Sequence, residues 1–167
     1  ARASGSSAAI EAMRADPRRE VRRLCELFEA FWLRAVEPHW PRIRSLLEAA
    51  PPVFSFVFGV PSKVVLGACR ARGIVTIGAA TSVLEAEALE AAGVDLIVAS
   101  GSEAGGHRPS FLARAEGVLC GSFVLTQLLS RAVRTPIITA GGIADRRGVL
   151  AAHALGAAMR QPRRREA

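Results

Sequence analysis

Val94-Asp95-Leu96-Ile97-Val98-Ala99-Ser100-Gly101-Ser102-Glu103-Ala104-Gly105-Gly106-His107 decides how this chain is read. The first half is apolar and rich in β-branched residues, the composition of a buried strand. The second half carries three glycines, a carboxylate and a histidine. A strand therefore delivers a polar loop to one edge of a sheet, which is where α/β proteins keep their chemistry. Glycine lets the backbone approach a ligand and offer amide donors, and histidine is the side chain best suited to proton transfer near neutral pH. The bland alternative is a plain glycine-rich connection.

Outward from this loop, short apolar strands alternate with alanine-rich helices. Upstream, residues 53–58 read as a strand ended by Gly59 and Pro61, and Ser62 as the cap of a helix running to about Ala71 and closed by Gly73. Residues 74–77 form the next strand, Thr81 with Glu85 marks a helix start, and Gly93 its end. Residues 94–99 are the third strand. Downstream, a helix over 123–133 leads to a strand over 136–140, then Gly141-Gly142 and a helix from Asp145 to Leu155. This alternation predicts right-handed crossovers and a parallel sheet, and strands apolar almost throughout fit burial on both faces. The expected class is α/β: a partial (β/α) TIM-type barrel of about four βα units, preceded by an N-terminal helical segment. A whole barrel takes about 250 residues. About half of one leaves two sheet edges, to be covered by the N-terminal helices, an oligomer or a partner.

With 167 residues, half of them hydrophobic, the chain can bury a sizeable core. The net charge of +7 is concentrated at the ends. Arg14, Arg18, Arg19, Arg22, Arg23, Arg34, Arg42 and Arg44 lie in the first third, and Arg160, Arg163, Arg164 and Arg165 near the last residue. Residues 1–50 read as a basic amphipathic helical segment, with Val21, Leu24, Leu27, Phe28, Phe31 and Trp32 on one face. A second helix follows Pro38 or Pro41. Residues 51–158 are the barrel segment and 159–167 a disordered basic tail. No helix-turn-helix pair with a polar recognition helix is legible, which argues against a nucleic-acid partner. Cys25, Cys69 and Cys120 are odd in number and widely spaced, so no metal site and no disulfide framework are expected. No apolar run reaches the about 18 residues that span a bilayer, and no signal-peptide core is present, so no membrane association and a cytoplasmic location are expected. The missing initiator Met points to residues ahead of Ala1.

Three linked segments resemble the nitronate monooxygenase family, formerly called 2-nitropropane dioxygenase. They are Val53-Phe54-Ser55-Phe56-Val57-Phe58-Gly59, Gly101-Ser102-Glu103-Ala104-Gly105-Gly106-His107-Arg108 and Ala140-Gly141-Gly142-Ile143-Ala144-Asp145. The resemblance runs from about Pro51 to about Ala158. It implies a flavin-dependent barrel enzyme that binds FMN and oxidises alkyl nitronates with molecular oxygen. It implies further that His107 is the base near the flavin, that Gly105 and Gly106 lie against FMN, and that Gly141 and Gly142 meet its phosphate. Ser100 stands where the family usually has a glutamine in contact with the flavin. Other departures are Pro109 in place of a glycine and Thr126 in place of a proline. The family's first barrel strand and its later Gly-Thr phosphate loop have no counterpart here.

A weaker resemblance concerns residues 14–48. Arg14-Ala15-Asp16-Pro17, Phe28-Glu29-Ala30-Phe31-Trp32 and Pro38-His39-Trp40-Pro41-Arg42 are similar to an accessory helical segment of ArsR-type regulators. Two alternatives to the nitronate reading remain at this point. One is a relative of the flavin-dependent enoyl-acyl carrier protein reductases, which share the glycine-histidine loop; the other is a non-catalytic interaction or DNA-associated fragment.

Overall fold

The computed structural model describes residues 40–158. The expectations for the apolar stripe over residues 21–32 and for the C-terminal tail fall outside them.

Helix α1 (Trp40–Ala49) places Pro41 in its first turn, where a missing N–H costs nothing. Strand β1 (Val53–Phe56) follows, then α2 (Lys63–Ala71), whose N-cap Ser62 accepts from Val65 N at 3.4 Å. Strand β2 (Val75–Ala80) leads to α3 (Val83–Ala92), and α3 to β3 (Leu96–Ser100). A 3-10 turn over Ala115–Gly117 interrupts the next connection before α4 (Ser122–Ala132), β4 (Ile137–Ala140) and α5 (Arg146–Ala154). All four strands are parallel and lie in chain order β1-β2-β3-β4. This is the expected α/β alternation of four strands and crossover helices.

The register sorts side chains onto two unlike faces. Phe56 pairs with Gly78, Gly78 with Ile97 and Ile97 with Ile137, so these positions share one face. That face forms the main core with Leu66, Ala86, Leu89, Leu125 and Leu129 from α2, α3 and α4. A smaller cluster of Leu47, Val65, Cys69 and Ile74 seats α1 on α2, and burial there pushes the Cys69 thiol pKa up. The other face carries Val53, Val75, Ile77, Val98 and Ile138, which stay partly or largely accessible to solvent. Parallel sheets are normally covered on both sides. An apolar face without helices is the inner wall of a barrel.

Element boundaries differ from expectation where glycine misleads. Gly78 reads as a strand stop, yet β2 continues through Gly78, Ala79 and Ala80, all buried. A Cβ at Gly78 would stand 2.5 Å from Leu89 Cδ2 and 3.0 Å from the Phe56 ring, so glycine there makes room for two larger core side chains. β1 ends two residues early because Phe58 takes a left-handed φ of 63° ahead of Gly59 at 133°. Ser82, and not Thr81, is the N-cap of α3, accepting from Glu85 N at 3.3 Å; Gly93 closes the helix in the left-handed region with φ 80°.

Among the described residues, the outer edge of β4 is engaged only at its start. Ala158 N donates to Ile137 O at 2.8 Å and a parallel bridge joins Ile137 to Ala157, which continues the strand order past β4. Gly78→Ala is expected to lower the unfolding free energy by about 1–3 kcal/mol through overpacking against Leu89 and Phe56. Urea denaturation checks this, and an unchanged midpoint would contradict the described β2–α3 packing.

Candidate active site

The loops after β3 and β4 lie side by side at the C-terminal end of the sheet. The long loop after β3, residues 101–121, is pinched at its base: Gly101 N donates to Ala140 O at 3.1 Å and Ser102 N to Cys120 O at 2.8 Å. Helix α4 begins after Gly121, an N-cap with no side chain to satisfy the first amides. Glu103 supplies the missing acceptor from across the loop. Its Oε2 accepts from Ser122 N at 2.9 Å, Ser122 Oγ at 3.0 Å and Ser102 Oγ at 3.1 Å. Backbone amides, its own and that of Ser122, followed by the serine hydroxyls, hold this carboxyl below its ordinary pKa of 4.5. A negative group at a helix N-terminus is favoured by the helix dipole as well.

The glycines of the two loops divide into packed and open ones. A Cβ on Gly101 would lie 2.1 Å from Ser122 Oγ and 2.4 Å from Ser122 Cα. One on Gly141 would lie 2.5 Å from Ala104 N and 2.6 Å from Ser122 Oγ. These two positions are glycine because the loops after β3 and β4 close on Ser122 there. Around Gly105 and Gly106 nothing stands within 4 Å of such a Cβ, and both are exposed. Gly142, at φ 68°, has only the Glu103 side chain near, at 3.5 Å.

The far end of the loop is held by a second carboxylate. Glu85 is fully buried at 0% exposure. Its Oε2 accepts from Thr81 N and Thr81 Oγ1, each at 2.7 Å, while its Oε1 accepts from Phe111 N at 2.6 Å and Leu112 N at 3.1 Å. Ser82-x-x-Glu85 has the capping-box spacing, in which the glutamate turns back onto an amide ahead of the helix. Here one oxygen does so at Thr81 and the other reaches across to the loop.

His107 lies between the two anchors, exposed and forming no hydrogen bond or ion pair among the described residues. Ser100 ends β3, 7% exposed, on the sheet face away from the helices. The geometry brings the Gly101–Ala104 turn and the Gly141-Gly142 pair together through Glu103 and Ser122, and leaves Gly105, Gly106 and His107 projecting beyond that contact. Asp145 closes the N-terminus of α5: its carboxylate accepts from Gly148 N at 3.0 Å and pairs with Arg147 at 2.9 Å. Asp145 thereby satisfies one of the free amides at that helix terminus itself. Arg108 donates from Nη2 to Val118 O, and its Nε is buried without a partner. Thr126 answers its departure from the family pattern by donating to Ser122 O at 2.8 Å and pairing with Thr139 Oγ1 at 2.8 Å.

Glu85, Ser122 and Arg108 escaped sequence reading as site-building residues. Glu85, read together with Thr81, marked a helix start, but its contact 26 residues downstream has no local signal. A cleft of ≈ 260 Å³ between this loop and α3 and α4 is lined by Thr81, Val83, Val118, Cys120, Leu125 and Leu128, and none of the predicted site residues faces it. Among the described residues no group of three or more His, Cys, Asp or Glu is arranged to hold a metal. No helix among them is long and apolar enough to cross a membrane.

Parallel strands in chain order, helices on one face and a glycine-histidine loop at the strand ends define a TIM-barrel-like α/β chain. The sequence model of the family "Nitronate monooxygenase" matches residues 10–161, and the chain belongs to that family. The match takes in most of the N-terminal segment that composition sets apart. The nitronate monooxygenase of Paraburkholderia phytofirmans is 50% identical over 111 residues, 66% of this chain and 30% of that protein. The nitroalkane oxidase structure from Streptomyces ansochromogenes superposes with TM-score 0.66 at 38% identity, covering 69% of this chain and 34% of that one. FabK from Thermotoga maritima gives 0.59 at 36%, with 69% and 34% covered. The chain thus spans about a third of the length of the relatives it matches.

Two outcomes follow. Gly101→Ala is expected to destabilise the fold by about 2 kcal/mol or more, because the methyl meets backbone as well as hydroxyl, whereas Gly105→Ala stays within about 0.5 kcal/mol; thermal melts of both variants check the contrast. Glu103 has a lowered folded-state pKa, so its clasp on Ser122 is fully present above 4.5 and is lost as pH falls through the lowered value. Amide exchange at Ser122, corrected for intrinsic rate, should show this acid-side loss of protection in the native chain, and Glu103→Gln should abolish the step.

Proposed function

We propose that this chain carries the flavin-facing part of an FMN-dependent oxidoreductase that oxidises alkyl nitronates with molecular oxygen. The observation that carries the reading is the open Gly105-Gly106 backbone beside exposed His107, at the strand ends of a chain that belongs to the nitronate monooxygenase family. Glycine backbone with free space around it fits the close approach of a planar, hydrogen-bond-accepting cofactor. Ser100, Gly105 and Gly106 would hold the flavin ring side, and Gly141 and Gly142 would present amides to its phosphate. The bound flavin supplies the electron-accepting chemistry.

In this reading His107 accepts, on an imidazole nitrogen that no group among the described residues engages, the acidic α-carbon proton of the parent nitroalkane, which leaves as the nitronate to be oxidised. The division into a basic segment over 1–50, a barrel segment over 51–158 and a tail over 159–167, with a cytoplasmic location, belongs to the same proposal. So does completion of the uncovered sheet face and the edges of β1 and β4 by further barrel structure or a partner.

Titration of the purified full chain with FMN should give a stoichiometric, protein-shifted flavin spectrum. Oxygen uptake on an alkyl nitronate should follow, and His107→Ala should lower uptake on the parent nitroalkane by about 10²–10⁴-fold with flavin retained, while uptake on the preformed nitronate falls far less. A folded sample that leaves FMN free in solution would contradict the reading.

A further inference from the structure

We propose that Glu85 is a positioning residue for His107, acting through the Phe111 and Leu112 amides; the catalytic part of this inference rests on the flavin reading above. Glu85 lies on α3, within the span matched to the family but outside the three motif segments quoted for the resemblance. Its carboxylate is fully buried with four donors and no cation among its hydrogen-bond partners. The donors split evenly: Oε2 serves the start of α3 and Oε1 serves the loop. Phe111, held this way, packs its ring against the main core. Four residues earlier stands His107, which has no anchor of its own. The stretch from Ala104 to Ser110 is therefore spanned between two carboxylates, Glu103 at Ser122 and Glu85 at Phe111, with the Arg108–Val118 bond between them, and Glu85 fixes the end toward which His107 leads.

A carboxamide cannot do what this carboxylate does. Both oxygens of Glu85 must accept, while glutamine offers one acceptor and one donor group. Glu85→Gln satisfies either Thr81 or the loop amides and turns an N–H toward the other pair. Glu90 supplies a control clasp that rests on a single oxygen, which glutamine would keep and alanine removes. Its Oε1 accepts from Arg134 N at 2.6 Å, Thr135 N at 2.8 Å and Thr135 Oγ1 at 3.0 Å, clasping the connection that enters β4 at the opposite end of the sheet. Losing either clasp should cost stability, but only Glu85 is tied to the histidine loop.

The test compares the full chain with Glu85→Gln and Glu90→Ala, reading amide exchange over residues 102–112, the His107 ring C–H resonance assigned with His107→Gln, and FMN affinity. Glu85→Gln should speed exchange at Phe111, Leu112 and the preceding loop by roughly tenfold or more, move or broaden the His107 resonance, and weaken FMN binding by a similar factor. Glu90→Ala should leave all three within about twofold while lowering the melting temperature. Equal effects of the two variants, or an unmoved His107 resonance in Glu85→Gln, would overturn the positioning role. If the native chain binds no FMN, the flavin reading fails, and the exchange and resonance arms still decide the role of Glu85. Should Glu85→Gln not fold, Leu112→Pro removes one loop donor and leaves the Thr81 side intact. It should move or broaden the His107 resonance relative to the native chain, and no change would overturn the proposal.

Discussion

A buried carboxylate with no countercharge among its partners holds the functional end of this molecule together. Glu85 lies at the third position of α3, where the helix dipole favours negative charge, and four neutral donors replace the water it has lost. Leaving any of them unpaired in the interior costs more than the bond gains in water, so the carboxylate works as a fixed point. The helix start, the strand end before it and the return of the long loop are all referred to that point. Glu103 repeats the device at the surface, capping a helix whose own N-cap is glycine. Glu90 repeats it at the other end of α3.

These clasps explain why a loop with several glycines does not need regular structure to have a shape. Gly101 and Gly141 are occupied by neighbours, and their lack of a side chain lets the two strand-end loops touch at Ser122. Gly105 and Gly106 are free of such neighbours, so the same residue type serves packing at two positions and openness at two others. The sheet beneath has a comparable asymmetry. One face is sealed by α2, α3 and α4 around Leu89, Ile97, Leu125 and Leu129, while Val75, Ile77, Val98 and Ile138 line a face that bears no helix among the described residues. A barrel built outward from this piece would fill that face with side chains from its remaining strands.

Strand-helix alternation was legible because each strand is a short apolar run and each helix has a local stop or start signal, as at Ser62 and Gly93. Local signals also set the errors. Gly78 reads as a terminus when only local chain is considered, because the Leu89 and Phe56 side chains it accommodates come from other elements. Ser82 rather than Thr81 caps α3 because Thr81 is committed to Glu85. Within the site, His107 and its glycines announce themselves by residue type, whereas Glu85 and Ser122 act over 26 and 19 residues of chain and leave no pattern along it.

Residue-resolved amide exchange of the unaltered full chain over residues 101–122 tests the central claim most directly. Two carboxylate clasps around a projecting segment predict strong protection at Ser102, Phe111, Leu112 and Ser122, with Gly105, Gly106 and His107 exchanging at rates near those of free peptide. Uniformly fast exchange from Gly101 to Gly121, with Phe111 and Leu112 as unprotected as Gly105, would contradict it.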